Sequence, residues 1–190
     1  MRTLRTQRLI LRNWEDLDRE LFFRINSDDA VMKFFPFRRS RQEADDFMER
    51  LRARIAAQGY GFTALELAAT RQAIGFAGLN PAGLEPVLPA DTIEIGWRLA
   101  PEFWGKGLVT EAGEALLAFG FEELDLDEVV SFAVWNNDRS TAVMRRLDMR
   151  PDAARDFDHP KVPDTHPHLK RHVFYGLTRS AWRERKKAAR

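Results

Sequence analysis

Hydrophobic and polar residues follow two different periods along this chain, and each period predicts a different kind of element. Residues 92–100, TIEIGWRLA, alternate with a period of two, which is typical of a half-buried strand. From Leu108 onward the apolar residues recur at the helical spacing, and residues 128–135, EVVSFAVW, form the nearly apolar run of a central strand. Together these segments predict one strand–helix–strand unit. The two predicted faces of the first strand are Ile93, Ile95, Trp97 and Leu99 on one side and Glu94, Gly96 and Arg98 on the other.

The rest of the chain predicts further elements on both sides of this unit. Ser40 followed by Glu43 is a capping-box pattern, and Gly59 is a typical helix stop. The resulting order of elements predicts an α/β fold with a mixed sheet. The other predicted elements are a strand at 8–12, a helix at 14–25, a hairpin of strands at 60–67 and 72–80, a short helix after Asn137, and strands near 150–157 and 171–177.

Length and charge indicate a single domain over residues 1–190 that does not bind nucleic acid with its whole surface. The chain has 190 residues and a formal net charge of +1. This length is typical of one domain and buries a sizeable core. A balanced charge is unlike the strongly basic surface of a nucleic-acid-binding domain. The basic tail at 183–190, RERKKAAR, is a short charge run of the kind that is usually solvated.

The absence of cysteine narrows the chemistry. Without cysteine the chain has no disulfide, no thiolate metal site and no cysteine nucleophile. The N-terminal residues lack the apolar run of a secretory signal. No stretch approaches the ~18 apolar residues of a membrane span. The expectation is therefore a cytoplasmic protein without a membrane segment.

The segment PEFWGKGLVTEA, residues 101–112, places two glycines at the start of a predicted helix. A helix N-terminus carries unpaired N–H groups and a partial positive charge. Gly105 and Gly107 remove side chains from this end, and Lys106 adds a cation. The spacing indicates an anion site, most simply for a phosphate. The alternative from the loop alone is a tight turn that binds nothing.

Four segments of the chain resemble the GCN5-related N-acetyltransferase (GNAT) family. They are TQRLILRNWEDLD, EIGWRLAPEFWGKGLVTEA, VWNNDRSTAVMRRLDMR and RHVFYGLTRSAW, and they occur in the family's order. The resemblance is strongest to the branch that contains the ribosomal-protein N-terminal acetyltransferases. It implies a single domain with a mixed, mostly antiparallel sheet of about six to seven strands and helices on both faces. The middle two segments are the specific ones.

The resemblance implies that the loop at 102–107 wraps the pyrophosphate of acetyl-CoA, the co-substrate. In relatives a Gln or Arg begins this loop, whereas this chain has Glu102. The two glycines are kept, so the backbone cradle stays plausible. The implied cofactor-binding residues are Arg98, Leu99, Gly105, Lys106, Gly107, Leu108, Val109, Thr110, Asn137 and Ser140.

The resemblance further implies direct transfer of the acetyl group to an amine. The strand backbone near Arg98 and Leu99 would pair with the pantetheine arm and polarise the thioester carbonyl. Asn137 would contact the same arm, or serve only as a helix N-cap. Relatives often carry a tyrosine as the proton donor to the thiolate, but this chain has Met144, which has no proton to give. Ser140 is then the nearest candidate, and its alternative is a local helix serine.

Glu94 is the candidate general base, and its alternative is an ordinary solvated strand residue. His159 is a weaker candidate for the same role. No third ligand has suitable spacing for a metal site with the loop histidines, so no metal is expected. Tyr175 is expected to be packed. The other histidines are His166, His168 and His172.

Two function classes follow from these residues. The first is an N-acetyltransferase acting on a primary amine, either a small molecule or a protein N-terminus. The second is a non-catalytic acyl-CoA sensor or partner-binding module, indicated by Met144. Trp14, Phe34, Phe35 and Phe37 either shape the acceptor cleft or fill the core. The sequence leaves homodimer formation open.

Overall fold

The computed structural model describes residues 3–188, and in this part the chain forms nine β-strands and five α-helices. The α/β class and the mixed, mostly antiparallel sheet are confirmed. There are more strands than the six to seven expected because three of them contain only two residues. A strand of two residues has no hydrophobic period that a sequence pattern could reveal.

The strands and helices have the following bounds. The strands are β1 (Leu4–Arg5), β2 (Leu9–Arg12), β3 (Phe62–Leu67), β4 (Ala73–Pro81), β5 (Ile93–Leu99), β6 (Glu128–Val134), β7 (Arg150–Pro151), β8 (Phe157–Asp158) and β9 (Arg171–Thr178). The helices are α1 (Arg19–Ser27), α2 (Arg41–Gln58), α3 (Leu108–Glu122), α4 (Asp138–Arg146) and α5 (Arg179–Ala188).

The chain divides into two compact units. Unit 1 comprises the residues up to 80 together with 96–115, and unit 2 comprises 81–95 together with the residues from 116 onward. Strand β5 and helix α3 each contribute residues to both units, since the division falls within them.

Unit 1 is built on antiparallel pairing of β1 with β2, β2 with β3 and β3 with β4, and β4 neighbours β5. Its hydrophobic core is formed by side chains of α1, α2, β3 and β4, and Trp14 and Phe22 lie at its centre. The predicted capping box is present, because Ser40 and Glu43 exchange hydrogen bonds. Gly59 ends α2 in the left-handed conformation, as predicted.

Unit 2 contains the parallel pair of the sheet. The first residues of β5 pair with β6 through Glu94 and Val130, and β6 pairs antiparallel with β9. Strands β7 and β8 also pair with β9. The core here includes Leu84, Leu88 and Phe174. The run at 128–134 is therefore a central strand between β5 and β9, as its apolar composition predicted.

Two element boundaries differ from the sequence pattern. The predicted helix at 14–25 begins as a short 3-10 helix at Asp16–Asp18, and α1 proper starts at Arg19. The buried carboxylate of Asp18 accepts hydrogen bonds from Arg12, which fixes this irregular entry. The basic tail forms the second half of α5, where Lys186 pairs with Glu122. The last residues of that tail, 189–190, lie outside the described part of the chain.

Asp148 adopts a left-handed backbone conformation with a φ of 57° directly after α4. Aspartate tolerates this region better than most residues because its short polar side chain can bond locally. The helix therefore ends at Arg146 without a glycine after it.

Candidate active site

The edge of β5 over residues 96–99 that faces away from β4 has no paired strand in the part of the chain that the structure describes. The Ala100 N–H donates to the Ile74 carbonyl at 3.0 Å, so every second residue before it, including Arg98, turns its backbone toward β4. The backbone N–H and carbonyl of Leu99 point to the other edge of the strand, away from β4. Its carbonyl accepts a hydrogen bond from Trp104 Nε1 at 2.8 Å on the opposite edge. The Leu99 N–H therefore lies on a strand edge that is open to a ligand.

The loop after β5 leads directly into the N-terminus of α3. A short 3-10 helix at Pro101–Phe103 is followed by Gly105 and Gly107, each with a φ of 72°. A Cβ at Gly105 would meet nothing within 4 Å, so conformation rather than space requires glycine there. The helix begins at Leu108, and the Glu111 N–H already bonds to the Gly107 carbonyl. The preceding N–H groups have no acceptor in the helix itself and are available to an anion.

Arg8 is a cation at this loop that the sequence reasoning missed. Its Nη1 donates to the Lys106 carbonyl at 3.0 Å, and its Nε donates to Glu111 at 2.5 Å. Burial works to raise the pKa of Glu111, but hydrogen bonds from Thr6 and Arg8 outweigh it and lower that pKa. Glu111 thus stays ionised and fixes Arg8 beside the glycines. The first family-like segment contains Arg8, but only the fold brings it to a loop nearly a hundred residues away.

Glu102, which differs from the residue usual in the family, forms an ion pair with a residue of α1. Its carboxylate forms an ion pair with Arg24 at 2.5 Å, and this hydrogen bond lowers the pKa of Glu102. The negative charge at the start of the loop is therefore compensated within the chain. Lys106 is exposed, and its Nζ lies 5.4 Å from the ring centroid of Phe103, so the amine is free to turn toward an anion.

Glu94 lies in unit 2 in an environment that disfavours its charged form. Desolvation raises the pKa of Glu94 to about 8, while the charge of Lys161 acts in the opposite direction. Within residues 3–188 the carboxylate makes no hydrogen bond or ion pair. Its neighbours Ile93 and Ile95 are buried, whereas Glu94 is partly accessible, as the alternation predicted. Trp97 is less buried than that alternation indicated.

Asn137 and Ser140 stand at the start of α4, also in unit 2. Asn137 is the N-cap, since its Oδ1 accepts a hydrogen bond from the Ser140 N–H at 3.3 Å. Its amide NH₂ remains available as a donor. The Ser140 hydroxyl makes no hydrogen bond within the described residues, in contrast to the local serine that was the alternative. Met144 is fully packed in the core and cannot act as a proton donor.

The histidines form two pairs in unit 2. His159 and His172 lie with ring centroids 4.8 Å apart, next to Phe157. Burial, aided by His172 and Lys161, lowers the pKa of His159 to about 4, so this ring is neutral at physiological pH. Its Nδ1 accepts a hydrogen bond from the Lys161 N–H. Among residues 3–188 there is no group of three or more metal-ligating side chains, and Tyr175 is buried.

The residues predicted for the site divide between the units. Unit 1 brings together Arg98, Leu99 and the helix start with its loop, residues 105–110, and adds Arg8. Unit 2 contains Glu94, Asn137 and Ser140. The Arg98 side chain is turned away from the loop and donates to Asn26 Oδ1 at 2.5 Å.

Comparisons with known proteins show the family to which this fold belongs. The family model described as acetyltransferase (GNAT) domain matches residues 8–150. YdaF of Bacillus subtilis (strain 168), predicted to be a ribosomal N-acetyltransferase, is 38% identical over 90 residues, which cover 47% of this chain and 46% of that protein. The uncharacterized N-acetyltransferase p20 of Bacillus licheniformis is 28% identical over 165 residues, covering 85% of this chain and 90% of p20. A GNAT-family acetyltransferase structure from Bacillus anthracis superposes with a TM-score of 0.78 at 23% identity, covering 94% and 99% of the two chains.

The fold and these comparisons define an acetyltransferase class. The chain belongs to the GNAT acetyltransferase family, whose model spans most of its length. The matched part extends over less than half of YdaF. Across residues 3–188, no helix is long and apolar enough to cross a membrane.

Proposed function

We propose that this acetyltransferase moves the acetyl group of acetyl-CoA directly to a primary amine in a ternary complex. The observation that carries the proposal is the arrangement in unit 1, where an open strand edge at Leu99 leads into a glycine loop and a helix N-terminus. An extended pantetheine arm needs such an edge, and a pyrophosphate needs such a helix start. No cysteine is present to carry a covalent acyl intermediate.

The cofactor contacts of unit 1 are proposed as follows. The backbone amides from Gly105 to Thr110 hold the pyrophosphate, and Lys106 and Arg8 supply positive charge. The Leu99 N–H pairs with the pantetheine arm or polarises the thioester carbonyl. The backbone of Arg98 is turned toward β4 and its side chain donates to Asn26, so the proposed contacts of this strand with the cofactor come from Leu99.

The chemistry of the transfer needs a base and a proton donor. The amine nitrogen attacks the thioester carbonyl, the C–S bond breaks, and the thiolate leaves. Glu94, with its raised pKa, is suited to accept the amine proton, directly or through water. The Ser140 hydroxyl is the proposed donor to the thiolate, and the Asn137 amide is a proposed donor to the pantetheine arm. The acceptor is a small-molecule amine or a protein N-terminus.

A thermal-shift titration tests the cofactor. At 100 times its dissociation constant, coenzyme A stabilises the protein by about 2.7 kcal/mol, which raises the Tm by roughly 5–10 °C for a chain of this size. Acetyl-CoA and coenzyme A are expected to raise the Tm, whereas ATP and NAD are the controls and leave it unchanged. No shift with either coenzyme A species would contradict the proposal. A shift without release of thiol on a panel of amines would favour the acyl-CoA sensor.

Gly105→Ala tests the role of the loop. Alanine in the left-handed region costs about 1–2 kcal/mol, and nothing within 4 Å would otherwise oppose the methyl group. Relief of this strain moves the neighbouring amides, so coenzyme A affinity is expected to fall by about tenfold or more. The measurement is titration calorimetry together with urea unfolding.

Gly83→Ala is the matched control for that variant. Gly83 has a φ of 59° and comparable space, but it lies outside the loop. It is expected to lose similar stability while keeping coenzyme A affinity. Equal affinities in the two variants would show that the conformation of the loop does not serve binding.

A further inference from the structure

Two arginine side chains in unit 1 are partly buried and have no carboxylate partner among the described residues. Arg98 Nη1 donates to Asn26 Oδ1 at 2.5 Å, and the Arg39 N–H donates to the Asn26 carbonyl at 3.0 Å. Asn26 is fully buried at the end of α1, so it fixes the Arg98 side chain through its amide oxygen and the Arg39 backbone through its carbonyl. The Arg39 Nε is buried and has no hydrogen-bond partner within this part of the chain.

The contrast with another buried arginine shows how unusual this arrangement is. Arg12 is more deeply buried than either, and it pairs with the carboxylates of Asp18 and Glu66. Burial lowers the pKa of Arg98, and the charge of Arg39 lowers it further. Desolvation also lowers the pKa of Arg39, aided by Arg50. Buried cations without a counter-ion cost free energy, so such a pair is expected where a ligand supplies the anion.

Each of the two guanidinium groups lies over the ring of a partly exposed phenylalanine. The Arg98 guanidinium lies 4.4 Å from the ring centroid of Phe35, and that of Arg39 lies 4.9 Å from the ring centroid of Phe37. These two rings are 37% and 42% exposed, so they form the accessible side. Stacked guanidinium groups keep their in-plane N–H donors free for a planar anion.

We propose that Arg98 and Arg39 form a subsite for a carboxylate carried by the acceptor amine. The inference rests on the proposed function and adds the class of acceptor. Arg98 directly precedes Leu99, whose N–H is on the open edge of β5. An acceptor held by its carboxylate on Arg98 is therefore anchored next to the backbone that is proposed to orient the thioester. The exposed Phe35 and Phe37 rings would contact an apolar side chain of the same acceptor.

The donor geometry of the cluster favours a carboxylate. Glu43 and Arg50, whose charges shift the pKa of Arg39 in opposite directions, are both exposed and screened by solvent. A carboxylate fits the planar donor geometry of a guanidinium group.

The test compares acceptors that differ in one charge. L-phenylalanine is assayed against L-phenylalaninamide, and the peptide amide Met-Glu-Phe against Met-Gln-Phe, with thiol release from acetyl-CoA as the readout. Phosphoethanolamine is compared with ethanolamine to test whether the subsite prefers a phosphate to a carboxylate. The wild-type enzyme is expected to prefer one carboxylate acceptor over its neutral partner by about 10- to 100-fold in kcat/KM, as for a charge-assisted hydrogen bond. The two carboxylate arms distinguish a free amino acid from an acidic peptide.

Variants locate the preference in the arginines. Arg98→Gln and Arg39→Gln are each expected to reduce the ratio of acid to amide by at least tenfold. The ratio does not depend on the fraction of folded enzyme, so partial misfolding would not imitate this result. Arg41→Gln is the control, because Arg41 lies close in sequence to Arg39 but already pairs with Glu20 and Asp45. An unchanged ratio in both test variants would overturn the proposal, as would wild-type preference for the amide or the phosphate.

A binding measurement separates this inference from the proposed function. N-acetyl-L-phenylalanine and its amide are titrated into the wild-type protein, with and without saturating coenzyme A. If coenzyme A binds but no amine is acetylated, selective binding of the acid still supports the subsite, and equal binding of acid and amide refutes it. If coenzyme A does not bind, the proposed function fails, and the same titration without coenzyme A decides on the carboxylate subsite alone.

Discussion

Replacing Glu94 with glutamine is expected to lower kcat/KM for acetyl transfer by about 10²–10⁴-fold, the range for loss of a general base. The glutamine side chain has nearly the same shape, but it cannot accept the proton of the attacking amine. Coenzyme A affinity is expected to remain unchanged, since the proposed cofactor contacts do not involve this side chain. Steady-state kinetics with the best amine of the screen, together with coenzyme A titration, provide the measurement.

The pH dependence of kcat/KM provides a second test of Glu94 as the general base. Desolvation raises the pKa of Glu94 to about 8, so the carboxylate is mostly protonated at pH 6 and mostly ionised at pH 9. A base must be ionised to act, so wild-type kcat/KM is expected to rise with pH and level off above about pH 8. The Glu94→Gln variant is expected to lack this step, apart from the titration of the amine itself.

The same raised pKa predicts the pH dependence of stability. The folded-state pKa lies above the unfolded value, so the contribution of the neutral carboxyl is present below the unfolded pKa and is lost as pH rises through about 8. Glu94→Gln is therefore expected to become more stable relative to wild type between pH 5 and pH 9. Asp91→Asn, an exposed carboxylate three residues earlier, is the control and should show neither effect. A wild-type pH profile in the Glu94 variant would exclude Glu94 as the base.

Replacing Arg12 with methionine is expected to destabilise the protein by about 3–5 kcal/mol, the cost of removing one partner from a buried ion pair. Arg12 is only 7% exposed, and its guanidinium donates two hydrogen bonds to Asp18 and one to Glu66. These partners raise the pKa of Arg12, and the hydrogen bond with Asp18 has the largest effect. Methionine fills similar volume but leaves the Asp18 charge buried and unpaired. Urea unfolding at neutral pH provides the measurement.

Two further variants identify the cause of that loss. Adding Asp18→Asn to Arg12→Met removes the stranded charge, so the double variant is expected to be more stable than the single Arg12 variant. Arg19→Met removes a surface arginine that pairs with Asp16 and Glu49, and it is expected to leave the unfolding midpoint nearly unchanged. If the loss of stability in the double variant equalled the sum of the losses in Arg12→Met and Asp18→Asn, the buried ion pair would not explain the instability of Arg12→Met.

Local patterns predicted much of the fold because local chemistry determines those features. The capping box at Ser40, the left-handed Gly59 and the alternation around Ile93 each depend on a few neighbouring residues, and each is present. The glycines of the loop are likewise in the left-handed conformation, and α3 begins at Leu108 as the pattern indicated. These signals lie within about one turn or one strand of sequence.

Features that depend on distant residues could not be predicted. Arg8 and Lys106 meet only because β2 and the loop after β5 belong to one compact unit. Asn26 at the end of α1 accepts hydrogen bonds from the Arg98 side chain on β5 and from the Arg39 backbone. These contacts depend on how α1 packs against β5. The sequence did not distinguish core aromatic residues from accessible ones. Trp14 is buried in the core, whereas Phe35 and Phe37 are half-exposed. A charge or ring in a sequence does not reveal its partner across the fold.

The ion pair between Arg24 and Glu102 has a consequence for how this sequence can change over evolution. Glutamate at the start of the loop would repel an incoming phosphate unless a cation on α1 compensates it. Loss of Arg24 alone would leave an unmatched anion beside the loop, so a substitution at 24 is expected to be tolerated best together with glutamine or arginine at 102. The two positions, far apart in sequence, are therefore expected to change together.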